Sequence, residues 1–344
     1  MIYPGLHKLN ELVSQKLVSK RPHPTLPLWI YNYTAAAQGL GISNWSEELQ
    51  DCRGLILDHE GEIAARPFRK FWNYEQVLDK IPTGEEFTVW EKLDGSLGIV
   101  TWYRGNLVVA TRGSFESDQA QWAMKHFKRA FAIKPGFTYL FEILYPKNRI
   151  VVDYGDRRDM PLLGVLNDHG IDQPDLFDAW PASKARRFDG LGELNKLAAL
   201  ELPGEEGFVV RWESGFRAKV KFEEYKRLHR LITQCSTRTI WEMLRAGKDT
   251  TELLDRVPAD FKLWVIDQIN HLVYSFAEIE MRVRRDFAER PAPFTSRRDY
   301  AAWAKTKKYP NLLFAWLDKK PTDDMIWKMV EPKWAVPFKG NIDE

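Results

Sequence analysis

The hydrophobic period of this chain changes near residue 223, and that change limits its fold more than any other feature. Upstream, "GLILDHEGEIAARPF", "EFTVWEKL", "LGIVTWYRGNLVVATRG", "TYLFEILY", "PLLGVLND" and "GFVVRW" with "FRAKVKF" alternate apolar and polar residues or run β-branched and aromatic. Gly, Asp and Asn separate them, the pattern of short strands joined by turns. Downstream, "EEYKRLHRLI", "STRTIWEMLRAG", "DFKLWVIDQINHLVYSFAEIEMRVRRDFAE", "SRRDYAAWAKTKK" and "NLLFAWLDKK" carry apolar residues at helical spacing. Gly247, Pro258, Pro291, Pro293 and Pro310 punctuate them. The fold class is therefore α+β: an antiparallel-sheet domain over residues 1–230, with the N-terminal extension, followed by an all-helical domain over residues 231–344. Helices are expected within the first domain at about 117–133 and about 183–200.

Charge and cysteine usage narrow the function classes. The net charge of +2 conceals an asymmetry, with 25 Lys+Arg against 19 Asp+Glu in residues 217–344 and 25 against 29 in residues 1–216. A basic C-terminal third is compatible with a polyanionic partner. Cys52 and Cys235 are far apart and form no CxxC pair, which excludes a disulfide framework or a cysteine zinc site and leads us to expect the cytoplasm. The start "MIYPGLHKLNELVSQKLVSK" is amphipathic, without the apolar core of a signal peptide, and no apolar run approaches the ~20 residues of a membrane span. The seven histidines show no HxxxH or HExxH spacing. "LRAGKDTT" reads as a helix C-cap rather than a phosphate loop, because Glu242 stands where a P-loop needs glycine.

"WEKLDGSLGIV" at 90–100 carries the chemistry. Alone it reads as a hairpin, with "EFTVWEKL" turning at "DGS" and returning as "LGIVTWY". It also reads as a nucleophilic lysine, because partial burial beside other cations favours the neutral amine. Four further segments favour the second reading. "DCRGLILD" with "ARPFRKFWNYEQ" brings Arg53, Arg69, Lys70, Phe71 and Trp72, and "TRGSF" brings Arg112. In "YLFEIL", Glu142 interrupts an apolar strand, where an unpaired carboxylate would be costly to bury. "EEGFVVRW" followed by "AKVKF" puts Glu206 before a glycine and Lys219 and Lys221 on one strand face. Together they suit attack by Lys92 on a nucleoside triphosphate. Lys219 and Lys221 would neutralise the phosphates, Glu206 would serve Mg²⁺, and Arg112 and Glu142 would hold a ribose.

"EKLDGSLGI" resembles the KxDG motif of the covalent nucleotidyltransferases, and "FEIL", "EGFVV" and "KVKF" resemble its later motifs in the expected order. DNA ligases and capping enzymes of that superfamily usually read KxDGxR, whereas Leu97 and Gly98 follow Ser96 here. "CRG", "RPFRKFWN", "PKNRIVVDY" and the helical tail resemble the RNA ligase 1 family, whose founding member is a bacteriophage tRNA-repair ligase. The resemblance covers roughly residues 50–230 and the tail only in character. It implies an ATP-grasp-like nucleotidyltransferase domain and an ATP-dependent RNA ligase. Such an enzyme seals RNA 3′-OH and 5′-phosphate ends through lysyl-AMP and RNA-adenylate intermediates. ATP is then a substrate and Mg²⁺ or Mn²⁺ the metal; tRNA is a candidate substrate, and a separate kinase/phosphatase would heal the ends.

By the same resemblance, Lys92 is the adenylated nucleophile and Arg53, Lys70, Lys219 and Lys221 are triphosphate contacts. Glu206 is the metal-supporting carboxylate and Glu142 the ribose-side Glu. Val209 is a candidate for adenine stacking; Arg112 stands where some relatives carry Lys. Asp94, Trp72 and Tyr225 are additional site candidates. The alternatives are a ligase of the same superfamily acting on nicked duplex or DNA, and a catalytically silent RNA-binding protein on this scaffold. Residues 282–308 hold nine Lys/Arg against three acids with Phe, Tyr and Trp among them. They read either as a solvated helical face or as an RNA surface carried by Arg284, Arg285, Arg297 and Arg298.

Overall fold

The computed structural model describes residues 1–127, 133–291 and 296–338. The chain divides into a unit of residues 1–227 and a unit of residues 228–342. The described residues of the first unit form three antiparallel four-stranded sheets. One is ordered β1 (Val18–Pro22), β2 (Leu28–Tyr33), β3 (Arg53–Asp58), β4 (Ile63–Ala65). The remaining strands are β5 (Phe87–Lys92), β6 (Ser96–Tyr103), β7 (Asn106–Thr111), β8 (Phe137–Ile143), β9 (Leu162–Asn167), β10 (Arg187–Phe188), β11 (Gly207–Trp212) and β12 (Arg217–Lys221). They form sheets in the orders β10-β5-β11-β12 and β7-β6-β8-β9.

Alternation along the strands builds the layers. On β3, Leu55 and Leu57 face the N-terminal helix Leu6–Ser14, packing with Leu9, Leu12 and Tyr31. Ile56 points the other way, into a core shared with Ile30, Ile99, Val108, Ala110 and Leu140. The opposite face of β6–β8 puts Val100, Tyr139 and Phe141 against Ala123 and Phe127, beside the helix Asp118–His126. β6 is thus buried on both faces, which explains why "LGIV" reads as a continuous apolar run.

Three sequence expectations need correction. The Asp-Gly pair does not turn a hairpin. β5 pairs with β10 and β11, and β6 pairs with β7 and β8, so residues 93–95 carry the chain from one sheet to another. The helix expected at 183–200 forms only over Leu194–Ala199; Arg187 and Phe188 are an edge strand on Trp90 and Val89. Gly190, at φ +77°, is not helical, and glycine in a helix interior costs about 1 kcal/mol relative to Ala. The helix expected at 117–133 runs from Asp118 to His126 with Ser117 as its N-cap; residues 128–132, like Pro293, lie outside the described residues.

The described elements of the second unit are helices, with one isolated bridge between Ser236 and Pro337. Its longest helix, Ala259–Ala288, packs Ile279 and Val283 with Tyr300, Leu312, Leu313 and Ile326. Gly247 sits at φ +62° just past the helix Thr237–Arg245, and Lys248 N–H reaches the Met243 carbonyl, which makes it the C-cap the sequence suggested.

Candidate active site

A cleft in the first unit is walled by the β10-β5-β11-β12 sheet on one side and by β8, β9 and their connections on the other. Register aligns three rungs across the first wall: Lys92–Gly207–Lys221, Trp90–Val209–Lys219 and Thr88–Arg211–Arg217. Because side chains alternate, the odd positions of β11 and β12 share one face, and each rung ends in a cation on β12. Gly207 occupies the middle of the first rung at φ +147°. A Cβ there would stand 2.0 Å from the Val220 carbonyl oxygen, so only glycine lets Lys92 and Lys221 flank that point.

Glu206 links the two lysines. Its Oε1 lies 2.5 Å from Lys92 Nζ and 3.2 Å from Lys221 Nζ, and its side chain is buried. Glu142 enters from β8, opposite Leu97 of β6, partly open to the cleft yet enclosed by protein. Burial pushes its carboxyl up to about 8; Lys92 and Arg53 oppose that rise, while Glu206 and Asp94 reinforce it. Lys219 is held well below the usual lysine range, first by burial and then by Lys92, Arg53, Lys70 and Lys221. Lys219 Nζ and the Arg53 guanidinium both lie over the Phe71 ring, at 5.0 Å and 5.5 Å. Residues 72–73 reach that position by running along β12, where Lys219 N–H bonds the Trp72 carbonyl and Asn73 bridges Lys219.

Asp94 acts as a fastener below Lys92. Its Oδ2 accepts Val151 N–H at 2.8 Å and Val152 N–H at 2.7 Å, and its Oδ1 accepts Tyr225 O–H at 2.7 Å. Its own N–H donates to Tyr154 Oη at 2.9 Å. Burial and then Glu206 push its carboxyl up, and those three donors oppose the shift. The "PKNRIVVDY" segment and the strand-to-strand crossing are thereby tied to one side chain.

A second group surrounds Tyr33 on β2. Arg112 donates to its Oη at 3.0 Å, Lys70 Nζ lies 5.1 Å from its ring centroid, and the Arg53 charge also acts on it. Burial alone would raise the phenol, but Arg112, Lys70 and Arg53 outweigh it and lower it. Arg53 Nη1 and Arg112 Nε are buried without a hydrogen-bond partner among the described residues. Three cations around one phenol, two of them with an unused buried donor, make a cluster suited to a polyanion.

The structure therefore brings Lys92, Arg53, Glu142, Val209 and Lys219 to one cleft, with Glu206 and Lys221 paired to its lysine and Lys70 and Arg112 joined to Arg53 through Tyr33. Trp72 contacts Trp45 edge-on, 5.8 Å between centroids, and lines a neighbouring groove rather than the cleft. Arg284, Arg285, Arg297 and Arg298 belong to the second unit and are exposed; Arg284 pairs with Glu280 at 3.0 Å and Arg297 with Asp318 at 2.8 Å. Sequence reasoning missed Tyr33, Tyr154 and the ion triad of Arg211, Asp172 and Arg217. No local signal marks Tyr33, whose strand pairs directly with the one carrying Arg53. The acidic cluster of Asp58, Glu60 and Glu62 does not line the cleft, and Asp58 Oδ1 already accepts two N–H groups of its own turn.

Among known proteins, the chain shows similarity to ligases. The chain is 27% identical over 218 residues to a protein of Autographa californica nuclear polyhedrosis virus named as a bifunctional polynucleotide kinase/RNA ligase. That alignment takes 52% of this chain and 31% of the viral protein, so the chain matches about a third of that relative's length. Among solved structures, an archaeal ATP-dependent RNA ligase is 13% identical, covering 89% of this chain and 86% of that one at a TM-score of 0.47. A Naegleria gruberi RNA ligase determined with ATP and Mn is 17% identical, covering 45% of this chain and 54% of that one at a TM-score of 0.36. The sequence model of the RNA ligase family matches residues 51–226, half of the chain, and every cleft residue named above except Tyr33 falls inside it. The chain belongs to the RNA ligase family.

Proposed function

We propose that this protein is an ATP-dependent RNA ligase working through a lysyl-AMP at Lys92. The observation that carries the reading is the first rung, where Glu206 pairs with both Lys92 and Lys221 across Gly207. In the first step Lys92 gives up a proton, for which Glu206 Oε1 is the nearest acceptor, and its nitrogen attacks the α-phosphorus of ATP. An N–P bond forms, the bond to the β-phosphate oxygen breaks, and pyrophosphate leaves. Arg53, Lys70, Arg112, Lys219 and Lys221 take up the phosphate charge, with Tyr33 accepting a hydrogen bond from Arg112. Val209 and Trp90 offer apolar surface to the base, and Glu142 faces the ribose. In the second step an oxygen of an RNA 5′-phosphate attacks the AMP phosphorus, the P–N bond breaks and Lys92 recovers its electron pair. In the third step an RNA 3′-hydroxyl loses its proton, attacks the 5′-phosphate and releases AMP as the phosphodiester forms.

Mg²⁺ or Mn²⁺ fits this donor set. Glu206 and Glu142 would offer it hard carboxylate oxygens, and Mg²⁺ commonly takes one or two carboxylates with substrate phosphates and water rather than a full protein cage. When bound, the metal supplies charge stabilisation at the phosphates. RNA with 5′-phosphate and 3′-OH ends is the substrate class, with tRNA a candidate. The 5′-phosphate would come from an end-healing kinase/phosphatase, an activity that the viral relative's name couples to ligation. Residues 1–230 would then form the adenylyltransferase and residues 231–344 an RNA-specificity module, in the cytoplasm. No helix among the described residues is long and apolar enough to cross a membrane.

The test is incubation with α-labelled ATP or GTP and a divalent metal. ATP, and not GTP, should leave an acid-labile label on Lys92. Lys92→Ala and Lys92→Arg should both remain unlabelled, since a guanidinium keeps its proton near neutral pH. Label persisting in folded Lys92→Ala would sink the reading.

A further inference from the structure

A second groove adjoins the cleft and shares a wall with it. Phe68, Phe71, Asp172, Arg211 and Arg217 line both, and on the groove side Arg66, Arg69 and Lys70 join them. The groove encloses about 750 Å³ against about 230 Å³ for the cleft, so it has room for more than a single small group.

Its charge is uneven. Asp51 holds two arginines, Arg66 at 2.8 Å and Arg69 at 2.7 Å, and Asp172 holds Arg217 at 2.6 Å and Arg211 at 3.2 Å. Exposed Glu47 reaches Arg69 from outside the groove at 3.3 Å and makes the first cluster neutral, whereas the second keeps one positive charge in excess and Lys70 adds another. Glu85 and Glu213 also line the groove, and Glu85 accepts Ser214 N–H at the β11–β12 turn. The wall shared with the cleft, with Arg211 and Arg217 against Asp172, thus carries one positive charge in excess. Two partly exposed aromatic rings, Trp72 and Phe216, line the same groove. Cations beside accessible aromatic faces suit a single strand, whose unstacked bases can lie on rings while its phosphates meet the arginines; paired bases would leave the rings unused.

We propose that this groove holds the 5′-phosphorylated single-stranded end of the RNA as it enters the cleft. The inference rests on the ligase reading above, and its test separates the two. Arg69 and Phe216 line the groove but not the cleft. Arg69→Ala leaves Asp51 its bonds to Arg66 and Tyr3, so the local fold is kept. Full-length Arg69→Ala and Phe216→Ala are compared with the native chain for lysyl-AMP formation and for AMP transfer to an unstructured, 5′-phosphorylated RNA of about 10 nucleotides. Native labelling by ATP tests the ligase reading by itself. The expected result is unchanged labelling in both variants, with the RNA KM raised about tenfold and kcat preserved. For Arg69→Ala the slope of log affinity against log salt should also become shallower by about 0.7, the release expected from one lost phosphate contact on a single strand. Unchanged KM and salt slope in both variants overturn the proposal. So does equal weakening toward a blunt RNA duplex, or a loss of labelling that accompanies the loss of transfer.

Discussion

Lys92 Nζ stands 2.5 Å from Glu206 Oε1, and the same oxygen receives Lys221 from the other side of Gly207 at 3.2 Å. A buried carboxylate between two lysines can serve as a simple counterion or as a participant in chemistry, and the two roles predict opposite signs. As a counterion Glu206 would favour the charged, unreactive amine, so its removal would free the nucleophile. As proton acceptor and metal support its removal would disable the site.

We expect Glu206→Gln to lower lysyl-AMP formation by on the order of 10²-fold, the usual size for losing a charged group that acts in the transition state. Single-turnover labelling on a variant with native circular dichroism checks it. Labelling faster than native would assign Glu206 the counterion role alone.

Glu142 should make stability depend on pH. Its carboxyl is pushed up to about 8 in the fold from an ordinary 4.5. Between those values the folded chain keeps a proton that the unfolded chain has lost, so its contribution is fully present below about pH 4.5 and is lost as pH rises toward 8. The slope is at most about 1.4 kcal/mol per pH unit. Urea unfolding at about pH 5.5 and about pH 8.5 should show the native chain losing stability between them, with Glu142→Gln flattening that difference. Parallel curves for the two proteins would contradict it.

Much of the cleft could be read from sequence because its parts are local. The spacing of two between Lys219 and Lys221 places them on one strand face in any register, and Glu206 beside Gly207 is fixed by adjacency. What escaped depends on pairing between distant strands. "EKLDGSLGI" carries a common hairpin signal, yet Asp94 is consumed by Val151, Val152 and Tyr225, the nearest of them 57 residues away, and the two strands part into different sheets. Tyr33 lies 79 residues from Arg112, and nothing in "LWIYNY" distinguishes a phenol that collects three cations from one filling a core. The helix expected at 183–200 failed for the converse reason: an exposed edge of β5 recruited Arg187 and Phe188 against their local pattern.

Gly207→Ala should separate packing from chemistry. The new Cβ would meet the Val220 carbonyl at 2.0 Å, at a backbone angle that L-residues rarely adopt. Strain of this kind costs about 1–3 kcal/mol, and forcing β11 from β12 adds to it. We expect a Tm lower by roughly 5–10 °C, together with loss of labelling at temperatures where the variant is still folded. Native labelling would show that the spacing of Lys92 and Lys221 tolerates change.

The last prediction concerns the helical unit. Arg284 and Arg297 already have acidic partners in Glu280 and Asp318, so reversing them also creates like-charge contacts within that unit. Among the described residues no ion pair is recorded for Arg285 or Arg298, which makes Arg285→Glu with Arg298→Glu the cleaner experiment and the fourfold reversal the stronger one. If these residues contact RNA phosphates, each lost contact removes about 0.7 from the salt slope for a single strand or about 0.9 for a duplex. The lysyl-AMP step should be unaffected, because the described residues that line the cleft all belong to the first unit. We therefore expect normal labelling by ATP, weaker binding of structured RNA at low salt, and a difference from native that fades as salt rises. Filter binding over a salt series measures it. Variants whose affinity and slope match the native chain would leave these arginines as a solvated helical surface.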